Sequence, residues 1–200
     1  MCIRDSRTLE LLSVLDMLCL VILIVIQTLA AMKMSVLNKL LEQRAYTDAH
    51  TGLPNKDACE VLLNNKETVA KHTACMMFDL NNLKIINDTK GHSKGDQLIL
   101  NFARLLRNVI PQKDFVGRYG GDEFMVVIYN TSKTEIEDIL KQLSREKDRL
   151  NSSGNNMPID YACGWAISDA DSECTIQMLL DKADYYMYEN KQAYKKSKKS

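Results

Sequence analysis

The chain has 200 residues, 46% of them apolar, and its 26 basic side chains are balanced by 26 acidic ones. That length holds one ordinary globular domain and an appendage, and the neutral balance excludes a dedicated nucleic-acid surface, which carries a strong basic excess. The six cysteines, at positions 2, 19, 59, 75, 163 and 174, form no C-x-x-C pair and no metal-ligand rhythm, so they read as reduced thiols of a cytosolic domain.

Taken in chain order, Leu11 to Met32 is almost continuously apolar, interrupted by Ser13, Asp16, Gln27 and Thr28, and densest from Met17 to Ile26. About 20 apolar residues cross a bilayer as a helix, which favours a membrane span over a signal peptide or a buried core helix. Ala30-Ala31-Met32-Lys33 runs on into helix-like sequence with no cleavage signal. Lys33, Lys39 and Arg44 place the carboxyl-terminal side in the cytoplasm, although Arg4 and Arg7 reduce the asymmetry. The opening Met1 to Ser6 carries no pattern with a physical reading, which is compatible with a piece of a longer chain.

Val36, Leu37, Leu40, Leu41 and Ala45 then recur at three- and four-residue intervals, a short amphipathic helix that could pair with a copy of itself or pack on its own domain. Asp48-Ala49-His50-Thr51-Gly52-Leu53-Pro54-Asn55 breaks it, so residues 1–45 read as membrane segment and linker, and 46–200 as one domain. Within that domain Thr73 to Leu80 predicts a buried strand, Leu83 to Asp88 and Gly95 to Val109 helices, and Asp114 to Tyr119 and Glu123 to Tyr129 a hairpin. A helix over Ser132 to Leu150, a polar loop over Asn151 to Pro158, a strand over Ile159 to Ile167 and a helix from Thr175 to about Tyr194 complete it. Lys195 to Lys199 read as a solvated tail. This order suits a mainly antiparallel sheet covered by helices rather than a doubly wound parallel one.

The chemistry concentrates in Arg118-Tyr119-Gly120-Gly121-Asp122-Glu123-Phe124. A Gly-Gly step permits a tight turn with positive φ, and the acids after it can face a cation or phosphate. Asp79 ends a neighbouring strand, so three carboxylates are expected at one sheet edge. Crowded acids repel one another, and oxygen-only ligation favours magnesium or manganese; acids at strand ends are also commonly just solvated.

Five separated blocks carry a resemblance: Asp48-x-x-Thr51-Gly52-Leu53-Pro54-Asn55, Asp79 to Asn87, Gly91-His92-x-x-Gly95-Asp96, Arg118 to Phe124, and Ala183-Asp184-x-x-Met187-Tyr188-x-x-Lys191. In that order they resemble the GGDEF family of diguanylate cyclases, over roughly Asp48 to Lys195. The resemblance implies a palm or ferredoxin-like α/β (α+β) domain with a five-stranded, mainly antiparallel sheet, here behind a membrane helix. It implies that two GTP molecules, held by two facing domains of a homodimer, are joined into cyclic di-GMP with loss of two pyrophosphates.

Carried over by position, Asp79 and Asp122 would ligate magnesium (or manganese) by side chain and Leu80 by its carbonyl. Glu123 would complete the acidic site, and Asp122 or Glu123 would take the proton. Asn87 and Asp96 match the guanine-reading positions, where an amide and a carboxylate suit the base's donor and acceptor edge. Lys84, Lys191 and Lys195 would meet the β- and γ-phosphates. Asp48, Arg118, Gly120, Gly121 and His92 would be structural support, with Arg118 bracing Asp122 or the turn and His92 capping a helix. The resulting expectation is a cyclase at the inner (cytoplasmic) membrane with its catalytic domain in the cytoplasm, binding no nucleic acid.

The chain departs from the pattern at Tyr194 and Lys195, where the family commonly has Gly and Arg. Lysine keeps the charge and loses the bidentate fork, so weaker triphosphate binding is expected. Pro111-Gln112-Lys113-Asp114 lacks the arginine of the family's Arg-x-x-Asp product site. Three other readings stay open: a weak or inactive domain that binds GTP or a protein partner and regulates, a cyclase that accepts ATP, and another metal-dependent nucleotidyl transferase.

Overall fold

The structure, a computed structural model, describes residues 3–65, 68–69, 72–153, 157–168 and 174–197. The chain divides into two compact units, Met1–Ala45 and Tyr46–Ser200. The first is almost entirely helix α1 (Ile3–Tyr46), whose apolar side chains from Leu11 to Leu41 are exposed. It is long and apolar enough to cross a membrane.

In the second unit, helix α2 (Lys56–Leu63) starts where the Asn55 side chain accepts the Ala58 N–H at 3.0 Å, and buries Cys59 and Leu63. Strand β1 (Ala74–Leu80) follows, buried along its whole length. Helices α3 (Leu83–Lys90) and α4 (His92–Val109) meet at Gly91. Strands β2 (Phe115–Arg118) and β3 (Glu123–Ile128) form the predicted hairpin. Helix α5 (Lys133–Ser152) opens with a capping box between Ser132 and Glu135 and runs two residues into the expected loop. Strand β4 (Tyr161–Ile167) and helix α6 (Ile176–Ser197) close the domain. Lys195 and Lys196 belong to the last turn of α6 and are exposed, whereas Lys198 and Lys199 of the expected tail lie outside the described residues.

The sheet is antiparallel in the order β2-β3-β1-β4. It has four strands among the described residues, not five. Among the described residues, the extended contact outside these strands is the bridge Thr47↔Pro54. Strand alternation divides β1 between two cores. Met76 and Phe78, with Phe124 and Val126 of β3, face α4 and α5, where Phe102 stacks edge-on to Phe78 and Phe124. Cys75 and Met77, with Met125 and Val127, face α2 and α6. A central strand buried on both faces reads in sequence as an unbroken apolar run, which is why β1 was legible.

The approach of α6 to the sheet depends on Gly164 in β4. A Cβ there would lie 2.1 Å from both Ala183 O and Met187 N, so only glycine admits the helix backbone at that distance. The described cysteines form no disulfide. Burial pushes the thiols of Cys59 and Cys75 up to about 12, which leaves them unreactive at neutral pH.

Candidate functional site

Asp79 and Glu123 are paired across the β1–β3 ladder, the last register pair before the strands separate. By alternation with Cys75, Met77, Met125 and Val127 both project toward α6. The Leu80 N–H donates to Asp122 O at 2.9 Å, tying the acid pair to the end of β1. Asp79 is 5% exposed, and its Oδ2 accepts from Lys191 Nζ at 2.6 Å. Its Oδ1 is buried with no partner in the protein. Glu123 holds its proton more tightly than an ordinary carboxyl: burial is the main cause, followed by the charges of Asp122, Asp79 and Asp184, with Lys191 opposing.

The Gly-Gly turn corrects an expectation. Neither Gly120 nor Gly121 has positive φ; among the described glycines that conformation belongs to Gly52 and Gly91. The Tyr119 and Gly120 N–H groups both donate to Glu123 O, at 2.9 and 3.2 Å. Glu123 folds back over the turn, and a Cβ on Gly120 would lie 2.5 Å from its Oε2. The nearest obstacle to a Cβ at 120 is the movable end of the Glu123 side chain, and the backbone φ does not require glycine there.

Arg118 braces the turn. It donates to Gly121 O at 2.8 Å and to both Asp48 carboxylate oxygens at 3.2 Å. Asp48 also accepts the Thr51 N–H and hydroxyl at 2.8 and 2.6 Å. Burial works against its charge, but the Thr51 hydrogen bonds and the Arg118 guanidinium outweigh it and hold the carboxyl below its ordinary value. A groove of about 390 Å³ beside this pair is lined by Asn55, Lys56, Asp57 and Tyr119.

Asn87 on α3 packs against Gly95 on α4, where a Cβ would lie 1.9 Å from Asn87 Oδ1. That oxygen is buried and has no partner in the protein. Asp96 is exposed one residue on, and its carbonyl accepts from His50 Nε2 at 2.8 Å. His92 is exposed at the first position of α4, whose start has no side-chain cap. Lys84, in the first turn of α3, and Lys195 are exposed.

The structure thus gathers Asp79, Leu80, Asp122, Glu123 and Lys191, and separately Asn87, Gly95 and Asp96. Asp184, which adds its charge near Glu123, is exposed on α6 beside buried Ala183; the Ala183-Asp184 block of the resemblance was the available signal. Among the described residues no group of three His, Cys, Asp or Glu side chains already surrounds one point. The donors nevertheless suit a hard divalent cation: they are all oxygens, carboxylates crowd one another, and Asp79 presents a buried oxygen without a partner.

A four-stranded antiparallel sheet flanked by helices, with acids at the ends of its two central strands, defines the class of domain. The profile described as "Diguanylate cyclase, GGDEF domain" matches residues 45–197, and the chain belongs to the GGDEF family. It is similar to the signaling protein YkoW of Bacillus subtilis, 31% identical over 78% of this chain and 20% of the relative. It is also similar to the diguanylate cyclase DgcP of Escherichia coli, 30% identical over 80% of this chain and 48% of the relative. The chain therefore spans from a fifth to about half the length of these relatives. Among solved structures, a microbial GGDEF domain described with bis-(3,5)-cyclic di-GMP is 27% identical with a TM-score of 0.63, covering 76% of this chain and 94% of that one.

Proposed function

We propose that this chain is a diguanylate cyclase, condensing two GTP molecules into cyclic di-GMP with release of two pyrophosphates. The observation that carries the reading is the ladder pair Asp79–Glu123, locked beside Asp122 by the Leu80 N–H and left with an unpartnered buried carboxylate oxygen. Asp79, Asp122 and Glu123, with the Leu80 carbonyl, would hold magnesium or manganese, which when bound lowers the pKa of the attacking 3′-hydroxyl and offsets charge on the α-phosphate. Asp122 or Glu123 would receive the hydroxyl proton. Asn87 accepts from the guanine edge with its buried Oδ1, and Asp96 adds a carboxylate for N–H donors, which favours guanine over adenine. Lys84, Lys191 and Lys195 supply cationic partners for the phosphates.

One domain presents one such set of residues, so joining two GTP molecules requires two chains facing each other. Exposed, apolar α1 would anchor each chain in the membrane, with Lys33, Lys39 and Arg44 on the cytoplasmic side. The helix from Met32 to Tyr46 would then set how the two domains face, a point of control.

Incubating the full chain in detergent with GTP and magnesium tests this. Cyclic di-GMP from the parent, and none from Asp79→Asn or Asp122→Asn, is the expected result. A regulatory reading has one observation in its favour: Tyr194 and Lys195 replace the family's Gly and Arg where phosphates are met. GTP binding without product in the parent would move the assignment to that reading.

A further inference from the structure

We infer that Lys191 is a positioning residue that competes with the divalent cation for Asp79, holding the carboxylate while the cation is absent and, when cation and triphosphate bind together, yielding it to the cation and turning to the phosphates. This rests on the metal-dependent reading above. Three features of the contact carry it. Lys191 Nζ lies 2.6 Å from Asp79 Oδ2, and the carboxylate is almost fully buried, so this ammonium is its countercharge in the protein alone. The other carboxylate oxygen has no partner, so the pair is half-satisfied rather than a closed structural bridge. The lysine side chain is 27% exposed, which leaves it a path to solvent that Asp79 lacks.

The pairing is built by the fold and not by local sequence, since the two residues are 112 positions apart. β1 is fixed between β3 and β4, and Gly164 lets α6 lie directly against β4, which delivers Lys191 to the end of β1. One carboxylate cannot neutralise an ammonium and a divalent cation together, and two like charges within a few ångströms repel strongly at a site shielded from water. With a divalent cation held at Asp79, Lys191 would be displaced, and its ammonium would find its new countercharge on the nucleotide's phosphates. Cation and triphosphate thus bind cooperatively through one side chain, each raising the affinity for the other by the same factor.

The test is titration of Mn²⁺ alone, followed by its paramagnetic resonance signal, on the full chain in detergent. Parent, Lys191→Met and Asp79→Asn are compared, with Asp79→Asn defining the background. Lys191→Met is expected to bind Mn²⁺ about tenfold more tightly than the parent without nucleotide, and to show a smaller gain in Mn²⁺ affinity when GTP is added. Mn²⁺ is also expected to raise the melting temperature of Lys191→Met by more than that of the parent. Lys191→Gln, whose amide can still donate to Asp79, serves if the methionine variant does not fold, with the same sign expected. Unchanged or weaker Mn²⁺ binding in the folded Lys191 variant overturns the inference while leaving Asp79 as a ligand. Binding by Asp79→Asn equal to the parent's removes the metal assignment and the inference with it.

Discussion

One terminal nitrogen of Arg118 lies 3.2 Å from both carboxylate oxygens of Asp48, while the other donates to Gly121 O at 2.8 Å. The arginine therefore connects the chain just before α2 to the turn that carries Asp122 and Glu123. The Asp48 and Arg118 side chains are about one-fifth exposed, which screens the pair only in part.

Arg118→Ala is expected to cost about 1–2 kcal/mol, because Asp48 and the Gly121 carbonyl lose charged donors in a half-buried place. Asp48 has its folded pKa below the ordinary 3.8, so the stability it contributes is complete above that value and is lost as pH falls through the folded one. Urea unfolding at pH 7 and near pH 3 measures both, and the difference between parent and variant narrows at the lower pH.

Glu123 behaves in the opposite sense. Its folded pKa lies above the ordinary 4.5, so its charge destabilises the metal-free fold increasingly as pH rises through that range. In the presence of a chelator, Glu123→Gln is expected to raise Tm at pH 7 by roughly 1–3 °C, with no gain below about pH 4.5. Thermal melts across pH 4 to 8 follow the effect.

At Gly164 the substitution to Ala puts a Cβ 2.1 Å from two backbone atoms of α6, neither of which can rotate away. A loss of about 3 kcal/mol or more is expected, read by urea denaturation. Any of the fold that survives should have α6 displaced and the Lys191–Asp79 contact broken.

Product inhibition through Pro111 to Asp114 is not expected. Asp114 is buried, its Oδ1 accepts the Tyr129 N–H at 3.1 Å at the end of the hairpin while its Oδ2 has no partner in the protein, and Pro111 has no donor to offer a phosphate. Under the proposed activity, micromolar cyclic di-GMP leaves the rate unchanged, and Asp114→Asn alters stability rather than inhibition. Initial rates with added product, in parent and variant, check this.

Features governed by short-range chemistry were for the most part legible in the sequence. The double-sided apolar run of β1, the hairpin around Gly120 and Gly121, and the helix beginning at Ser132 depend on neighbours a few residues away, so periodicity and turn composition located them. The ordered blocks marked Asp79, Asn87, Asp96 and Asp122 as a set for the same reason: each block is local. Tertiary structure alone decided which of these side chains meet. Lys191 reaches Asp79 only because a bare Gly164 seats α6 on the sheet, and Asn87 tucks against Gly95 only because α3 folds back on α4 at Gly91. The same holds for Gly120, which lies under the Glu123 carboxylate and has no positive φ of its own. Contacts of this kind are set by packing at atomic distance between segments far apart in the chain, for which local sequence carries no period to read.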